Sequence, residues 1–310
     1  MKLVPDYNKT NDIENLLTID VEDWFHILEL PSEIPVKEWI KLENRVLDNT
    51  LSLLNLLRRY NAKATFFVLG WVAQYCPDLI REIEKEGHEI ATHGYSHQLI
   101  HHLTPQEFAQ DISLSLEHLS RVASKPIRGY RAPGFSLTED CSWALDILLE
   151  LGLSYDASVF PLKRNHGGYE NFAEEAGYVT TPKGRQILEI PVTCNEILGK
   201  KLYLLGGGYF RISPSWVIES GIKQLNKQGK PAMIYLHPRE IDPLQPRLEM
   251  SKKRTFMSYV NLHKTESKLE KVLQKFKFNS IENVWQLSSV TELMSASDKK
   301  SISKTELKVA

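Results

Sequence analysis

The feature of this sequence that most restricts its fold is a repeated alternation of short apolar segments with longer amphipathic ones. The segments "LLTID" (16–20) and "ATFFVLG" (64–70) have the apolar, β-branched and aromatic composition of buried strands. Between them, "LENRVLDNTLSLLNLLRRY" places its apolar residues at helical spacing. The alternation continues to about residue 240 in roughly seven repeats, which predicts an α/β fold built on a parallel sheet or barrel.

Cap and breaker residues place further elements along the chain. The pattern predicts helices over 71–86, 105–123 and 138–151, the second of them with Thr104 as its N-cap. Beyond residue 240, "HKTESKLEKVLQKFKF" is typical of an amphipathic helix and "NSIENVWQL" of a final edge strand. The polar segment 295–310 is expected to be frayed.

The charge balance excludes several classes of partner. The 38 Lys and Arg residues nearly cancel the 39 Asp and Glu residues, so no overall field favours nucleic acid or an anionic membrane. A compact, neutral partner fits this balance better. No stretch reaches the roughly 18 apolar residues of a membrane span, and the N-terminus lacks the apolar core of a secretion signal. We therefore expect a cytoplasmic protein without a transmembrane segment, and association with the inner face of the membrane is compatible with this.

Ionisable residues follow nearly every predicted strand. Parallel strands present their carboxyl ends at one edge, where such folds place their chemistry. Charged groups at these positions are unfavourable unless they are paired or bound to a metal. They are Asp20, Glu22, Asp23, His93, His97, Arg131, Asp156 and His237.

The spacing of two histidines indicates a metal site. His93 and His97 are separated by three residues, so on a helical turn or tight loop both imidazoles can face one point, as zinc requires. Alone, this spacing is more typical of a surface pair or of satisfied core histidines. A carboxylate from "DVED" would complete a three-ligand site with one open position. Glu22 and Asp23 are both candidates, and the alternation of side chains after Asp20 favours Glu22.

The other strand-end residues suit acid–base chemistry around such a metal. Asp20 could act as the base and His237 as the acid. Arg131 could pair with the base and keep it ionised, while Asp156 could orient His237 and raise its pKa. An ordinary salt bridge for Arg131 and a turn or helix cap for Asp156 are the structural alternatives.

In order, these motifs resemble those of the polysaccharide deacetylase family, the NodB-homology group of carbohydrate esterases. Over residues 15–240 the family's five motifs correspond to "TIDVED", "HGYSH", "RAPGF", "YDAS" and "IYLHP". The resemblance implies a distorted (β/α) barrel of about seven repeats that holds one divalent metal, usually Zn²⁺. It implies that His93 and His97 are ligands, Asp20 the base paired with Arg131, and His237 the acid tuned by Asp156. It also implies that the amide of Gly134, beside Phe135, stabilises the oxyanion.

The first motif departs from the family pattern. Adjacent aspartates would supply base and ligand there, whereas Asp20 is followed by Val21, Glu22 and Asp23. The metal carboxylate therefore stays open between Glu22 and Asp23.

Longer stretches, "DVEDWFH", "GGGYFR" and "YLHPREIDPLQPRL", resemble a subgroup linked to bacterial exopolysaccharide and exosortase gene clusters, which has a C-terminal extension. The resemblance implies hydrolysis of N-acetyl groups from acetamido sugars of an exopolysaccharide or its precursor, with release of acetate. It implies a catalytic domain over 15–240, an extension over 241–292 and a disordered tail over 293–310. Two alternatives are an amidohydrolase for a small non-sugar amide and a catalytically silent carbohydrate-binding component of a synthesis complex.

Several further residues have open assignments. Trp24 could form an aromatic platform for a sugar ring or pack in the core. Tyr209 and Arg211, beside a run of three glycines, could contact substrate. His88, His101 and His102 are expected to be supporting or solvated residues, and the basic run "SKKRTF" (251–256) a solvated face.

Overall fold

Parallel strands form the centre of the fold. The computed structural model describes residues 13–30, 32, 34–164, 167–197 and 200–287. Within these ranges the strands are β1 (Glu14–Val21), β2 (Thr65–Val68), β3 (Glu89–Thr92), β4 (Gly129–Tyr130), β5 (Tyr155–Asp156), β6 (Gly177–Thr180), β7 (Gln186–Glu189), β8 (Asn195–Ile197), β9 (Lys200–Leu202), β10 (Met233–Leu236) and β11 (Lys277–Asn279).

The order of the main sheet is β10-β1-β2-β3-β4-β5-β7-β6. All neighbours pair in parallel except β6, which runs antiparallel to β7 at the edge. On the open side of β10, the Tyr235 amide donates to the Leu205 carbonyl oxygen at 3.1 Å, so the segment near Leu205 partly closes the sheet. The prediction of a distorted (β/α) barrel of about seven repeats is confirmed.

Helices surround this sheet. They are α1 (Val36–Trp39), α2 (Val46–Arg59), α3 (Gly70–Tyr75), α4 (Pro77–Lys85), α5 (Pro105–Ser120), α6 (Trp143–Glu150), α7 (Gly207–Ile212), α8 (Ser215–Lys227), α9 (Lys252–Tyr259), α10 (Leu262–Leu273) and α11 (Ile281–Trp285). As predicted, Thr104 caps α5: its hydroxyl accepts from the Glu107 amide at 3.3 Å, and Glu107 accepts from the Thr104 amide at 2.8 Å.

The side chains of β1 alternate between two environments. Leu17, Ile19 and Val21 pack in the large apolar cluster beneath the helices. Thr18 and Asp20 lie on the opposite side of the strand, where both contact Arg131. Because side chains alternate with a period of two, the inner face of β1 leads directly to the functional residues that follow the strand.

Three predicted elements differ in the structure. The helix predicted over 71–86 is two helices, because Cys76 is non-helical and Pro77 begins α4 without an amide proton to donate. The helix predicted over 138–151 begins at Trp143, after a short 3₁₀ turn. The predicted edge strand in "NSIENVWQL" is wrong: Ser280 caps α11 by accepting from the Asn283 amide at 3.3 Å. The buried residues Ile281, Val284 and Trp285 follow helical rather than strand spacing.

The residues after 240 lie against the barrel through β11, which pairs in parallel with the beginning of β1. The division into a catalytic domain (15–240) and an extension (241–292) stays a prediction. The predicted tail, 293–310, lies outside the described residues. Among the described residues, no helix combines the length and the apolar character that crossing a membrane requires.

Candidate active site

Three side chains converge at the carboxyl ends of β1 and β3. Glu22 Oε1 lies 3.0 Å from His93 Nε2 and 2.8 Å from His97 Nε2, and all three residues are buried. Glu22 follows β1 directly, and the loop after β3 reverses at Gly94 to bring His97 back beside His93; both Gly94 and His97 have positive φ. Two imidazoles and one carboxylate therefore meet at a single point.

The hydrogen bonds of His93 favour metal binding at that point. Its Nδ1 lies 2.7 Å from the carbonyl oxygen of Arg131, which can only accept, so Nδ1 carries the proton. The Nε2 lone pair then faces Glu22. This tautomer, fixed by a carbonyl on the opposite ring nitrogen, is the usual one for a metal-bound histidine. The donor set of two imidazole nitrogens and one carboxylate fits a divalent cation such as Zn²⁺.

The electrostatics of Glu22 agree with a ligand role. Burial alone would raise the pKa of Glu22, but the neighbouring imidazoles of His97, His237 and His93 hold it well below its usual value. The carboxylate is therefore ionised at neutral pH.

Asp23, the alternative ligand, instead accepts hydrogen bonds from backbone amides. Its Oδ1 accepts from the Trp24 amide at 2.7 Å, and its Oδ2 accepts from the amides of Arg45 and Val46 at 2.8 and 2.9 Å. The carboxylate thus caps the turn after β1 and holds the beginning of α2. The structure places Glu22, rather than Asp23, beside the imidazoles.

Arg131 and Asp20 form a buried pair inside the barrel. Arg131 Nη1 lies 2.7 Å from Asp20 Oδ1 and 2.8 Å from Thr18 Oγ1, and the guanidinium stacks 4.2 Å from the centre of the Phe67 ring. The backbone carbonyl of the same arginine fixes His93. The structure therefore brings Arg131 and Asp20 together as the sequence predicts, and it makes Arg131 a support for the histidine as well.

His237 follows β10 and faces the same centre. Its Nε2 lies 3.7 Å from Glu22 Oε1 and 3.9 Å from Asp20 Oδ2. Burial alone would lower the pKa of His237, but the negative charges of Glu22, Glu240 and Asp20 raise it. The imidazole is therefore suited to carry a proton beside Asp20.

The prediction that Asp156 orients His237 is wrong. His237 Nδ1 lies 2.6 Å from Glu240 Oε1, because the 3₁₀ turn after His237 brings the residue three positions later back against the ring. Glu240 also forms a buried ion pair with Arg211. The sequence analysis did not identify Glu240, although the carboxylate three residues after the histidine in "HPRE" could have indicated a partner for His237.

Asp156 stabilises a neighbouring strand end. Ser158 donates its hydroxyl to Asp156 Oδ1 at 2.5 Å and accepts from the Ala132 amide at 2.7 Å. Burial raises the pKa of Asp156, and burial together with the charge of Asp156 raises that of Glu189 well above its usual value. A neutral Glu189 can then donate to Asp156. Asp156 therefore fixes the segment that follows Arg131.

The predicted substrate residues have different surroundings. Gly134, Phe135 and Tyr209 line a cleft beside Glu22 and His237, with Tyr209 exposed at its rim. Gly134 and Phe135 both have positive φ; the Phe135 amide donates to Ala132. In the described backbone the Gly134 amide has no such acceptor.

Two predicted substrate contacts are corrected. Trp24 is buried in the core, and its indole N–H donates to the Glu43 carbonyl oxygen at 2.9 Å, so it is not a platform in the cleft. Arg211 reaches the cleft wall, but its guanidinium is occupied by Glu240 and by carbonyl oxygens that include that of Val260. It supports the site instead of offering free donors.

His88, His101 and His102 lie apart from this centre. His88 accepts from the Ala64 amide at 3.2 Å and packs on Phe66, while His101 and His102 are exposed on a short turn. A separate cavity of about 260 Å³ opens near the amino ends of β1 and β10 and contains none of the predicted site residues. The carboxyl ends, where ionisable groups converge, are the candidate active site.

Two family models match separate parts of this chain. Residues 43–155 match the family model described as Polysaccharide deacetylase, and residues 157–286 match a second model described as Domain of unknown function (DUF3473). The chain is 35% identical over 101 residues to a peptidoglycan-N-acetylglucosamine deacetylase of Bacillus cereus, covering 32% of this chain and 37% of that protein. It is 30% identical over 92 residues to a chitooligosaccharide deacetylase of Bradyrhizobium, covering 29% of this chain and 42% of that protein. Each match spans less than half of the relative's length.

A solved structure supports the fold over nearly the whole chain. The crystal structure of a protein from Mycobacterium smegmatis, described as a polysaccharide deacetylase, superposes with a TM-score of 0.60 at 16% identity. The alignment covers 92% of this chain and 93% of that one. At this identity the likeness concerns the fold alone.

Proposed function

Since the chain carries a domain of the polysaccharide deacetylase family, we propose that it hydrolyses N-acetyl groups of acetamido sugars in a polysaccharide and releases acetate. The observation that carries this proposal is the convergence of Glu22, His93 and His97 beside Asp20 and His237. Two imidazoles and a carboxylate next to a paired acid and base suit metal-assisted hydrolysis of an amide.

Glu22, His93 and His97 would hold a divalent metal, which we propose to be Zn²⁺. When bound, such a metal polarises water and the amide carbonyl. Asp20, paired with Arg131, would take a proton from the attacking water. His237, held by Glu240, would give a proton to the departing sugar amine.

The turn after Arg131 would contribute to stabilising the tetrahedral intermediate. Gly134 lines the cleft, and its amide lacks a backbone acceptor among the described residues, whereas the Phe135 amide is occupied by Ala132. We therefore assign the oxyanion contact to the Gly134 amide and a packing role to Phe135.

We further propose that the substrate is a bacterial exopolysaccharide or its precursor. It is supported by the resemblance of "DVEDWFH" and "YLHPREIDPLQPRL" to the exopolysaccharide-linked subgroup. The silent alternative depended on the altered first motif, yet that motif still supplies Asp20 and Glu22 at the candidate site. We favour the enzyme for this reason.

Acetate release from N-acetylglucosamine oligomers tests the proposal. The purified chain should lose activity with a chelator and regain it with Zn²⁺. Asp20→Asn and His237→Ala should each lower turnover by roughly 100- to 10,000-fold. Asp78→Asn and His102→Ala, at exposed positions outside the cleft, are the matched controls. Acetate release that survives chelation, or that survives Asp20→Asn, would contradict the mechanism.

A further inference from the structure

Besides Arg211, three arginines line the cleft that contains Glu22 and His237: Arg164, Arg239 and Arg254. They come from separate segments, namely the loop after β5, the 3₁₀ turn after His237, and α9. The basic run 251–256 is therefore not simply a solvated face, because Lys252 and Lys253 are exposed while the Arg254 side chain is only 24% exposed. Separate elements place positive charge around one cavity.

Two of these guanidinium groups contain buried nitrogen atoms that have no hydrogen-bond acceptor within the described part of the chain. Arg239 is 7% exposed, and its Nε and Nη1 atoms are buried without a hydrogen-bond acceptor there. The buried Nη1 of Arg164 is likewise without an acceptor among the described residues. Buried donors of this kind are unfavourable unless something satisfies them.

The other three arginines of the site have acceptors within the protein. Arg131 pairs with Asp20, and Arg211 pairs with Glu240. Arg254 donates to the Leu28 carbonyl oxygen at 3.1 Å and lies 3.5 Å from Glu29. The carboxylates nearest the cleft are thus occupied by other groups, and Arg239 and Arg164 add positive charge.

The local electrostatics agree with this surplus. Burial lowers the pKa of Arg239 from its usual value, and the positive charges of Arg211 and Arg254 oppose the effect of Glu240 and Glu22. Burial likewise lowers the pKa of Arg254, with a contribution from the charge of Arg164. Arginine remains charged under such conditions, so a negative ligand would relieve the repulsion.

Aromatic packing holds one member of the cluster in place. The Arg164 guanidinium lies 4.4 Å from the centre of the Phe160 ring. This stacking orders the side chain before any ligand arrives. A planar guanidinium fixed in this way suits bidentate binding of a phosphate or carboxylate.

We propose that Arg164, Arg239 and Arg254 bind an anionic group, a phosphate or a carboxylate, that the acetamido-sugar substrate carries. This inference rests on the proposed deacetylase function for the identity of the sugar, but not for the binding of the anion. The substrate class is therefore a negatively charged acetamido saccharide, although the chain as a whole is nearly neutral.

Equilibrium binding by calorimetry tests the inference, with metal-free protein dialysed so that neither metal nor anionic chelator remains to compete for the probe. The probes are neutral N-acetylglucosamine, N-acetylglucosamine 1-phosphate and N-acetylmuramic acid, which carries a carboxylate. We expect at least one charged probe to bind about tenfold more tightly than the neutral one. Arg239→Gln and Arg254→Gln should each remove most of this preference. Arg58→Gln, at an exposed arginine paired with Glu86 outside the cleft, should leave it unchanged.

The two charged probes distinguish the sources of the anion. Preference for the phosphate probe alone supports a phosphorylated precursor, and preference for the carboxylate probe alone supports an acidic saccharide. Arg254→Gln, at the partly exposed position, keeps the test valid if Arg239→Gln fails to fold. Equal affinity for all three probes, or a preference that survives both substitutions, overturns the inference. Absence of acetate release with the binding preference intact would instead refute the proposed function and leave the anion site standing.

Discussion

Separate substitutions of the neighbouring carboxylates Glu22 and Asp23 should distinguish the residue that binds the metal from the residue that stabilises the fold. Asp23 accepts three backbone N–H groups, and asparagine offers only one acceptor oxygen. Asp23→Asn therefore loses at least one charge-assisted bond and places an amide N–H against a backbone donor. We expect its free energy of unfolding to fall by about 2–4 kcal/mol in metal-free protein.

Glu22→Gln should act on the metal instead. In unchanged protein, Zn²⁺ at about 1,000 times its dissociation constant should raise the free energy of unfolding by about 4 kcal/mol. Replacing the carboxylate that faces His93 and His97 should weaken zinc binding by at least roughly 100-fold, which removes about 2.7 kcal/mol of that increment. Asp23→Asn should retain the full zinc-dependent increase in the free energy of unfolding, although its metal-free value is lower.

Urea denaturation with and without Zn²⁺ measures both quantities, and Asp78→Asn, whose side chain is 92% exposed, is the control. If Asp23→Asn lost the zinc increment while Glu22→Gln kept it, Asp23 would be the ligand and the assignment would be refuted. An increment that neither substitution changes would refute a metal site at this position.

Three further predictions concern buried or capping groups. Glu240→Gln leaves the Arg211 guanidinium buried without its carboxylate, so we expect a loss of about 3–5 kcal/mol in urea denaturation, and an additional Arg211→Met substitution should restore part of it. Burial raises the pKa of Glu89 to about 7, so the folded protein holds a proton that the unfolded chain releases at lower pH. The free energy of unfolding should therefore fall by up to about 3 kcal/mol as pH rises from about 5 to 8, and Glu89→Gln should flatten this dependence; an equal slope in both proteins would contradict the shift. Thr104→Ala should lower stability by about 1 kcal/mol through loss of the α5 cap, and an unchanged denaturation midpoint would contradict that role.

The positions of the site residues were predictable because parallel strands share a carboxyl edge. Asp20 lies one residue before the end of β1, and His93, Arg131 and His237 each directly follow a strand. The structure brings these residues together. The side-chain period of two also favoured Glu22 on the inner side of β1. The choice against Asp23 required the tertiary contacts of its carboxylate with the beginning of α2, which no local pattern contains.

Tertiary geometry also decided which carboxylate supports His237. Asp156 lies at a strand end, as the rule for parallel sheets requires, but its hydrogen bonds go to Ser158. Glu240 reaches the ring only because the chain makes a 3₁₀ turn after His237. At the C-terminus, a serine cap and helical spacing were both readable in "NSIENVWQL", and the β-branched and aromatic composition outweighed them in the strand prediction.

Arg131 occupies the inside of the barrel, where a fold of this class usually places apolar side chains, and its stability there depends on Asp20. Removing that carboxylate would leave an uncompensated buried charge, which costs about 3–5 kcal/mol. A typical domain has only about 5–15 kcal/mol of stability. Mutational drift at Asp20 would therefore be opposed by the requirement to fold, even in a lineage that no longer needed the reaction. A descendant of this protein that lost activity would be expected to lose Arg131 and Asp20 together.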